Sequence, residues 1–340
     1  MSPPVVRKLP VDRAALLVLA AWGLGAALGG CGGKAPPQVP LPDCDGIHLL
    51  VYTTGRNQVA GQQTVVLYDL DQGGFRALLD FGGNGQDSHP AITSEGKAIA
   101  VERPGAGTGQ DVQIYDRCAG AFLVRPELVT NADETEPTFS HDTSKLAFVR
   151  DSLGVQRLRL YDGASRRYVP LHVLDSLAAT GYDAHSPSLD QTGSLIAFVH
   201  GTVPTRDIGL YSRTGDSLET VLAALINTPN DEIDPCLTPD GHYLAFASDR
   251  PGGKGLFDIY LFDLQARAFV AVDSLNSAGN DVHPTMSTDA AFIVFQSDRT
   301  TPPAKGKWDL FDYDRTGKAI SQAFEESSTE DDLEPCLAWP

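Results

Sequence analysis

The sequence is poor in positive charge. Its 340 residues carry 26 Lys and Arg against 44 Asp and Glu, a net charge of −18. A surface that acidic repels phosphate backbones, which excludes nucleic acid as a ligand. Long apolar runs are also missing: past the first thirty residues no stretch is long enough to span a bilayer. No Gly-x-Ser-x-Gly turn follows an apolar strand, and the repeats below leave no residues for an α/β-hydrolase domain, so a serine-hydrolase reading fails. Cysteine is scarce, with five residues in all. Glycine and proline are plentiful instead, 33 and 23 residues or about one in six. With 42% hydrophobic residues, this describes a folded chain of short strands and many turns rather than a disordered polyelectrolyte.

The first thirty residues stand apart from the rest. Arg7, Lys8 and Arg13 precede an apolar run from Ala14 to Leu28, too short to cross a membrane and of the length of a signal-peptide core. The run ends in Leu28-Gly29-Gly30-Cys31, which resembles the bacterial lipobox, with small residues where a peptidase must approach the backbone. The resemblance implies a signal peptide over 1–30 and a diacylglycerol, with its palmitate-type chains, on the thiol of Cys31. Cleavage there removes three basic residues and one acidic one, Asp12, taking the net charge from −18 to −20. Gly32, rather than Asp, follows the cysteine, which by the same resemblance implies the outer membrane of a Gram-negative envelope. Residues 31–43, rich in Gly and then Pro, read as a lipidated tether, flexible at first and then extended.

One unit repeats through residues 44–340. Six segments place acidic residues just before a proline: Asp87-Ser88-His89-Pro90, Asp133-Glu134-Thr135-Glu136-Pro137, Asp183-Ala184-His185-Ser186-Pro187, Asp231-Glu232-Ile233-Asp234-Pro235, Asp281-Val282-His283-Pro284 and Asp331-Asp332-Leu333-Glu334-Pro335. The prolines are 47, 50, 48, 49 and 51 residues apart, a period of solenoids or propellers. About nine residues after each proline comes a β-branched or aromatic run such as Leu146-Ala147-Phe148-Val149 or Ile196-Ala197-Phe198-Val199, and a second run follows the next loop. Strand, tight turn, strand, loop, strand, turn, strand is the plan of a propeller blade. The sixth unit stops after one strand, and the segment from Asp45 supplies the missing ones at Leu49–Tyr52, Val65–Tyr68 and near Phe75–Leu79. The expected fold is all-β: a six-bladed propeller of four antiparallel strands per blade, its last blade closed by the N- and C-terminal segments so that no sheet edge stays open.

Thr238-Pro239-Asp240-Gly241, followed by Leu244-Ala245-Phe246-Ala247-Ser248-Asp249-Arg250 and Asp258-Ile259-Tyr260-Leu261-Phe262-Asp263, resembles the TolB-type propeller repeat, and Phe295-Gln296-Ser297-Asp298-Arg299 repeats part of it. Asp-Gly makes the tight turn where a positive φ is needed. The resemblance covers roughly residues 44–340 and lacks the α/β domain that precedes the propeller in TolB. It implies docking of an envelope protein or peptide.

If each proline starts the innermost strand, the residues before it line one rim of the central channel: His89, Glu136, Ser186, Asp234, His283 and Glu334, with His185 beside the serine. His89, Glu136, Asp234, His283 and Glu334 are the candidate binding residues of this channel mouth. Imidazole and carboxylate suit zinc or manganese, and carboxylates alone suit calcium, so a divalent cation held by His89, His283 and Asp234 is one reading. The other is that the repeat demands a hydrogen-bonded polar residue before the proline. The Ser-Asp-Arg tripeptides at Ser248 and Ser297 read as loop salt bridges or caps. Cys44, Cys118, Cys236 and Cys336 allow three complete pairings in an oxidising compartment. Cys44 and Cys118 fall near turns on the opposite rim of neighbouring blades, which permits a bridge, whereas Cys236 and Cys336 lie two blades apart and read as buried thiols.

The functional expectation is a lipid-anchored envelope module, on the periplasmic face or the cell surface, that acts as a monomer and binds a protein or peptide. The runner-up is a metal-dependent carbohydrate-active enzyme using the same channel, because propeller lyases acting on oligogalacturonate have metal-binding histidines in a comparable place. A structural envelope scaffold is the third.

Overall fold

The computed structural model describes Cys44 and residues 48–55, 63–76, 78, 81, 86–105, 109–272, 274–300, 307–322 and 331–339. The expected signal segment, the lipidated Cys31 and the tether to residue 43 lie outside the described residues.

Among the described residues, 24 strands form six antiparallel sheets of four. The chain begins with β1 (Leu49–Thr54), β2 (Thr64–Asp69) and β3 (Gly74–Arg76) of blade 1. Blade 2 is β4 (Ser88–Ile92), β5 (Ala98–Pro104), β6 (Gln110–Asp116) and β7 (Ala121–Phe122). Blade 3 is β8 (Asp133–Phe139), β9 (Lys145–Ser152), β10 (Val155–Asp162) and β11 (Arg167–Val169). Helix α1 (His172–Ala178) leads to blade 4, which is β12 (Ala184–Leu189), β13 (Leu195–His200), β14 (Asp207–Ser212) and β15 (Ser217–Leu218). Helix α2 (Thr220–Ile226) leads to blade 5, β16 (Glu232–Leu237), β17 (Tyr243–Ser248), β18 (Asp258–Asp263) and β19 (Ala268–Val270). Blade 6 is β20 (Asp281–Met286), β21 (Phe292–Ser297), β22 (Asp309–Asp314) and β23 (Ala319–Gln322). The last strand, β24 (Asp332–Ala338), pairs antiparallel with β1, Val51 opposite Cys336 and Leu50 opposite Leu337, and completes blade 1. The first strands β4, β8, β12, β16, β20 and β24 touch in that order and β24 returns to β4, so the ring closes as the repeat implies.

The second strand of each blade is a run of apolar residues because neighbouring blades cover both its faces. Phe148, Phe198, Phe246 and Phe295 occupy the same position of four blades and are fully buried. Burying each contributes about 2–3 kcal/mol. The position facing Phe198 across the sheet is Gly209, where a Cβ would fall 2.3 Å from the ring, so only glycine leaves room. Six apolar clusters correspond to the six seams between blades, from the Leu49, Val51 and Ile99 group between blades 1 and 2 to the Leu50, Tyr52, Val294 and Leu310 group between blades 6 and 1.

The turns joining the first two strands have positive φ at Gly96, Thr143, Gly193, Gly241 and Ala290, at 68°, 60°, 66°, 65° and 53°. They are stitched to each other at the rim opposite the prolines: the Asp142 amide donates to the Gln191 carbonyl and the Gln191 amide to that of Pro239. His141 Nε2 reaches the carbonyl of Trp339 at 3.0 Å, which ties the closing strand to the same rim. Cys44 and Cys118 are joined there by a disulfide, and Cys236 and Cys336 are free.

The structure differs from expectation in two places. The innermost strands start two to four residues before the proline, because the residue preceding it is a bulge within the strand and not the end of a loop. The helices α1 and α2 were not anticipated. Their signal is a short helical period: Leu171, Leu174 and the buried Ala178 in one, Leu222 and Ile226 in the other, with the leucines and Ile226 packed on blade seams.

Candidate binding mouth

All six residues before the prolines share one strained conformation. His89, Glu136, Ser186, Asp234, His283 and Glu334 have φ of 44°, 52°, 49°, 53°, 48° and 54°. A left-handed backbone costs a non-glycine residue about 1–2 kcal/mol. The strand register slips at each of these positions, the signature of a β-bulge, and turns the amide out of its own sheet.

Side chains of the neighbouring blade take these amides. His89 N donates to Glu334 Oε2 at 2.7 Å, Ser186 N to Glu136 Oε2, and His283 N to Asp234 Oδ2 at 3.2 Å. Glu136 N donates to Glu102 Oε1 at 2.6 Å and Glu334 N to Gln296 Oε1 at 3.1 Å. A carboxylate accepting a backbone amide is a charge-assisted bond worth roughly twice a neutral one. The acidic residue before the proline is therefore structural: it reaches the next blade and satisfies the amide that the bulge exposes. Ser186 is too short for this, and its hydroxyl lies 3.1 Å from His185 Nδ1.

A second layer of clasps lies one residue beyond four of the prolines. Ser188 Oγ accepts the Leu237 amide at 2.9 Å and Thr285 Oγ1 the Leu337 amide at 3.1 Å. Cys236 and Cys336 stand at the same repeat position, with sulfurs toward the amides of Met286 and Ile92. Desolvation pushes the Cys236 thiol up to about 12 and also raises that of Cys336.

One charge cluster of the mouth lies on blades 1 and 2. His89 sits between two carboxylates, Nε2 at 3.0 Å from Glu334 Oε1 and Nδ1 at 3.1 Å from Glu102 Oε1. Both are ion-pair contacts, and the buried Nδ1 makes no hydrogen bond of good angle. Burial by itself would lower the imidazole pKa, but these contacts and the charge of the two carboxylates override it and hold it well above the usual 6.5. Burial likewise opposes ionisation of Glu334, yet the His89 contacts, with the charge of His283, bring its carboxyl down to about 2. Thr53 Oγ1 donates to Glu334 Oε2 as well, at 3.0 Å.

Three polar residues of this sector, Thr53, Glu102 and Gln296, were not singled out from the sequence. They share the fifth position of the second strand, where blades 3, 4 and 5 have the apolar Val149, Val199 and Ala247. Aligning the repeats at that position is the signal that finds them. Blades 3, 4 and 5 instead expose an aliphatic side chain at the tip of the loop between their second and third strands, on the mouth rim: Leu153, Val203 and Leu256 are 105%, 68% and 73% exposed. Among the described residues the mouth thus combines the His89, Glu102 and Glu334 cluster on blades 1 and 2 with exposed aliphatic tips on blades 3, 4 and 5, where Glu136 and Asp234 add further carboxylates.

The Ser-Asp-Arg tripeptides are caps, as expected. Arg299 Nη2 bonds Asp281 at 2.6 Å and the Leu275 carbonyl at 3.0 Å, with its guanidinium over the Phe295 and Phe311 rings. Arg250 makes the same set with Glu232, the Ile226 carbonyl, Phe246 and Tyr260. Arg150 with Glu134 and Arg103 with Asp87 are the counterparts in blades 3 and 2, whereas blade 4 has Ala184 opposite His200.

Both nitrogens of His89 face carboxylates that are themselves bonded to backbone amides, His283 Nδ1 is 3.6 Å from an Asp234 oxygen already used, and among the described residues no three His, Cys, Asp or Glu side chains converge as ligands.

No protein-family model matches the sequence, and no curated protein matches it. Solved structures do. TolB from Acinetobacter baumannii is similar with a TM-score of 0.65 at 17% identity, over 86% of this chain and 67% of that one. A putative TolB from Agrobacterium tumefaciens gives 0.51 at 14% identity, over 82% of this chain and 88% of that one. A chain of a nidogen/laminin complex gives 0.58 at 10% identity, over 86% and 98%. At these identities the likeness is one of fold. The chain has a TolB-like six-bladed β-propeller fold, and among the described residues no helix is long and apolar enough to cross a membrane.

Proposed function

We propose that this propeller is a docking module of the bacterial cell envelope, tethered to the outer membrane through lipid on Cys31, that binds an extended segment of a protein partner across its mouth. The observation that supports the reading is the combination of exposed apolar tips and a carboxylate cluster around one mouth. Leu153, Val203 and Leu256 offer exposed apolar tips on three consecutive blades, and the carboxylate-rich sector of Glu102, Glu334 and His89 lies on blades 1 and 2 of the same ring. A segment with apolar residues at one end and basic ones at the other matches both features. Two of the similar structures are of TolB, the envelope protein type that the repeat resembles, and a third is of a complex between two proteins. The lipobox-like Leu28–Cys31 and the residue Gly32 support the anchor and its membrane.

The test is binding of a partner recovered by crosslinking the lipidated protein in its native envelope, with Cys31→Ser as the unanchored control. Replacing Leu153, Val203 and Leu256 together by Ser is expected to weaken the interaction at least tenfold while leaving the ring folded, and raising salt is expected to weaken it further. Binding unchanged by the triple replacement would reject this mouth as the site.

A further inference from the structure

The rim opposite the mouth holds a different feature. Between blades 2 and 3, where the β4–β5 turn faces the β8–β9 turn, a cavity of about 310 Å³ opens to the outside. Its apolar lining comes from Ile114, Phe139 and Leu146, continuous with the seam between these blades. Its polar edge has three cations, Lys97, Arg125 and Lys145, against one carboxylate, Glu95. In a chain of net charge −18 that is a local reversal of sign.

The three cations are not equivalent. Lys97 Nζ pairs with Glu95 at 2.6 Å, and Lys145 Nζ pairs with Asp162 at 2.9 Å. Arg125 has no carboxylate within ion-pair reach among the described residues; its guanidinium donates to the carbonyl of Val124, its own neighbour, at 3.3 Å. Elsewhere in the ring Arg103, Arg150, Arg206, Arg250 and Arg299 each answer an Asp or Glu, while Arg213 and Arg315 donate to backbone carbonyls of a neighbouring turn and line no such cavity. Glu127, two residues along the chain, is taken by both arms of Arg166 and by the Tyr161 hydroxyl, and Glu95, on the cavity edge, by Lys97. The cavity edge therefore keeps one positive charge without a counterpart, directly above an apolar floor.

We propose that this cavity is a second binding site, for a small organic monoanion whose carboxylate or sulfonate meets Arg125 and whose compact apolar body, a single ring or short aliphatic chain, rests on Ile114, Phe139 and Leu146. One uncompensated charge calls for a monoanion rather than a phosphate diester backbone or a dicarboxylate, and a volume at the lower end of ligand-pocket sizes calls for a small one. A planar guanidinium accommodates a carboxylate in a bidentate fork, which a lysine does not. The site lies on the opposite rim from the mouth and does not depend on the docking reading.

The probe is 4-fluorophenylacetate, followed by ¹⁹F NMR against the folded protein, with the uncharged 4-fluorophenylacetamide as its isostere. Saturable binding of the acid is expected, at least tenfold weaker for the amide and at least tenfold weaker in Arg125→Gln, with Arg125→Lys retaining part of the affinity. Arg125 borders an exposed segment, so both variants are expected to fold, and an unchanged thermal unfolding curve verifies it. Equal binding of acid and amide, Arg125→Gln binding as the unaltered protein does, or no saturable binding at all would each overturn the proposal.

Discussion

Replacing Glu334 by Gln removes one charge from the pair with His89 and leaves the shape of the bulge intact. In the folded protein the Glu334 carboxyl is held at about 2 against an ordinary 4.5. That difference corresponds to about 3 kcal/mol at 1.4 kcal/mol per unit. His89 is 38% exposed to water at the channel mouth, which screens part of the attraction. The expected loss is about 2 kcal/mol, within the range for a hydrogen bond to a charged group. Its pH dependence has a definite sign. The depressed Glu334 contributes stability that is complete above the ordinary carboxylate value of 4.5 and fades as pH falls toward about 2. The raised His89 contributes stability that is complete below the ordinary imidazole value of 6.5 and fades as pH rises through its higher folded value. The difference between the parent protein and Glu334→Gln in urea unfolding is therefore largest between about pH 4.5 and 6.5 and shrinks on both sides. A difference that is flat with pH, or a His89 proton resonance titrating at or below the ordinary imidazole value, would refute the bridge.

Arg299→Met leaves Asp281, fully buried, without its cation, and is expected to destabilise the ring by about 3–5 kcal/mol in urea unfolding, with Asp281→Asn recovering part of it. Cys336→Ser is expected to cost under about 1 kcal/mol because Ser188 and Thr285 accept the equivalent amides in other blades, whereas Cys336→Val, which cannot accept the Ile92 amide, costs about 1–3 kcal/mol in the same assay. Gly241→Ala is expected to cost only about 1 kcal/mol, since Thr143 and Ala290 hold the same turn position with positive φ and a Cβ at Gly241 meets nothing closer than 3.7 Å.

The blade count and the closure of the ring were legible because a proline returning about every 49 residues is a one-dimensional record of one unit. The apolar runs placed the second and third strands because they are buried on both faces. The acidic residues before the prolines were legible as a ring but not as what they do. Glu334 and His89 are 245 positions apart, and nothing local in either segment says that one side chain takes the other's amide. The bulge was hidden for the same reason: a residue before proline is ordinarily extended, and only the neighbouring blade's carboxylate offsets a left-handed backbone there. Cys236 and Cys336 were recognisable as occupants of one repeat position, but their kinship with Ser188 and Thr285 needed the facing amides. The helices α1 and α2 are seven residues each, about two turns of apolar spacing inside loops, too short for their period to stand out from the strands around them.

The most direct test of the docking reading places a photo-crosslinking residue at position 256, on the mouth rim, and separately at position 165, in the β10–β11 turn of the opposite rim, in the lipidated protein within its own envelope. The account predicts one discrete adduct from position 256, lost when Leu153 and Val203 are replaced by Ser, and none of that size from position 165. The same adduct from both positions, or an adduct from position 165 alone, would contradict it.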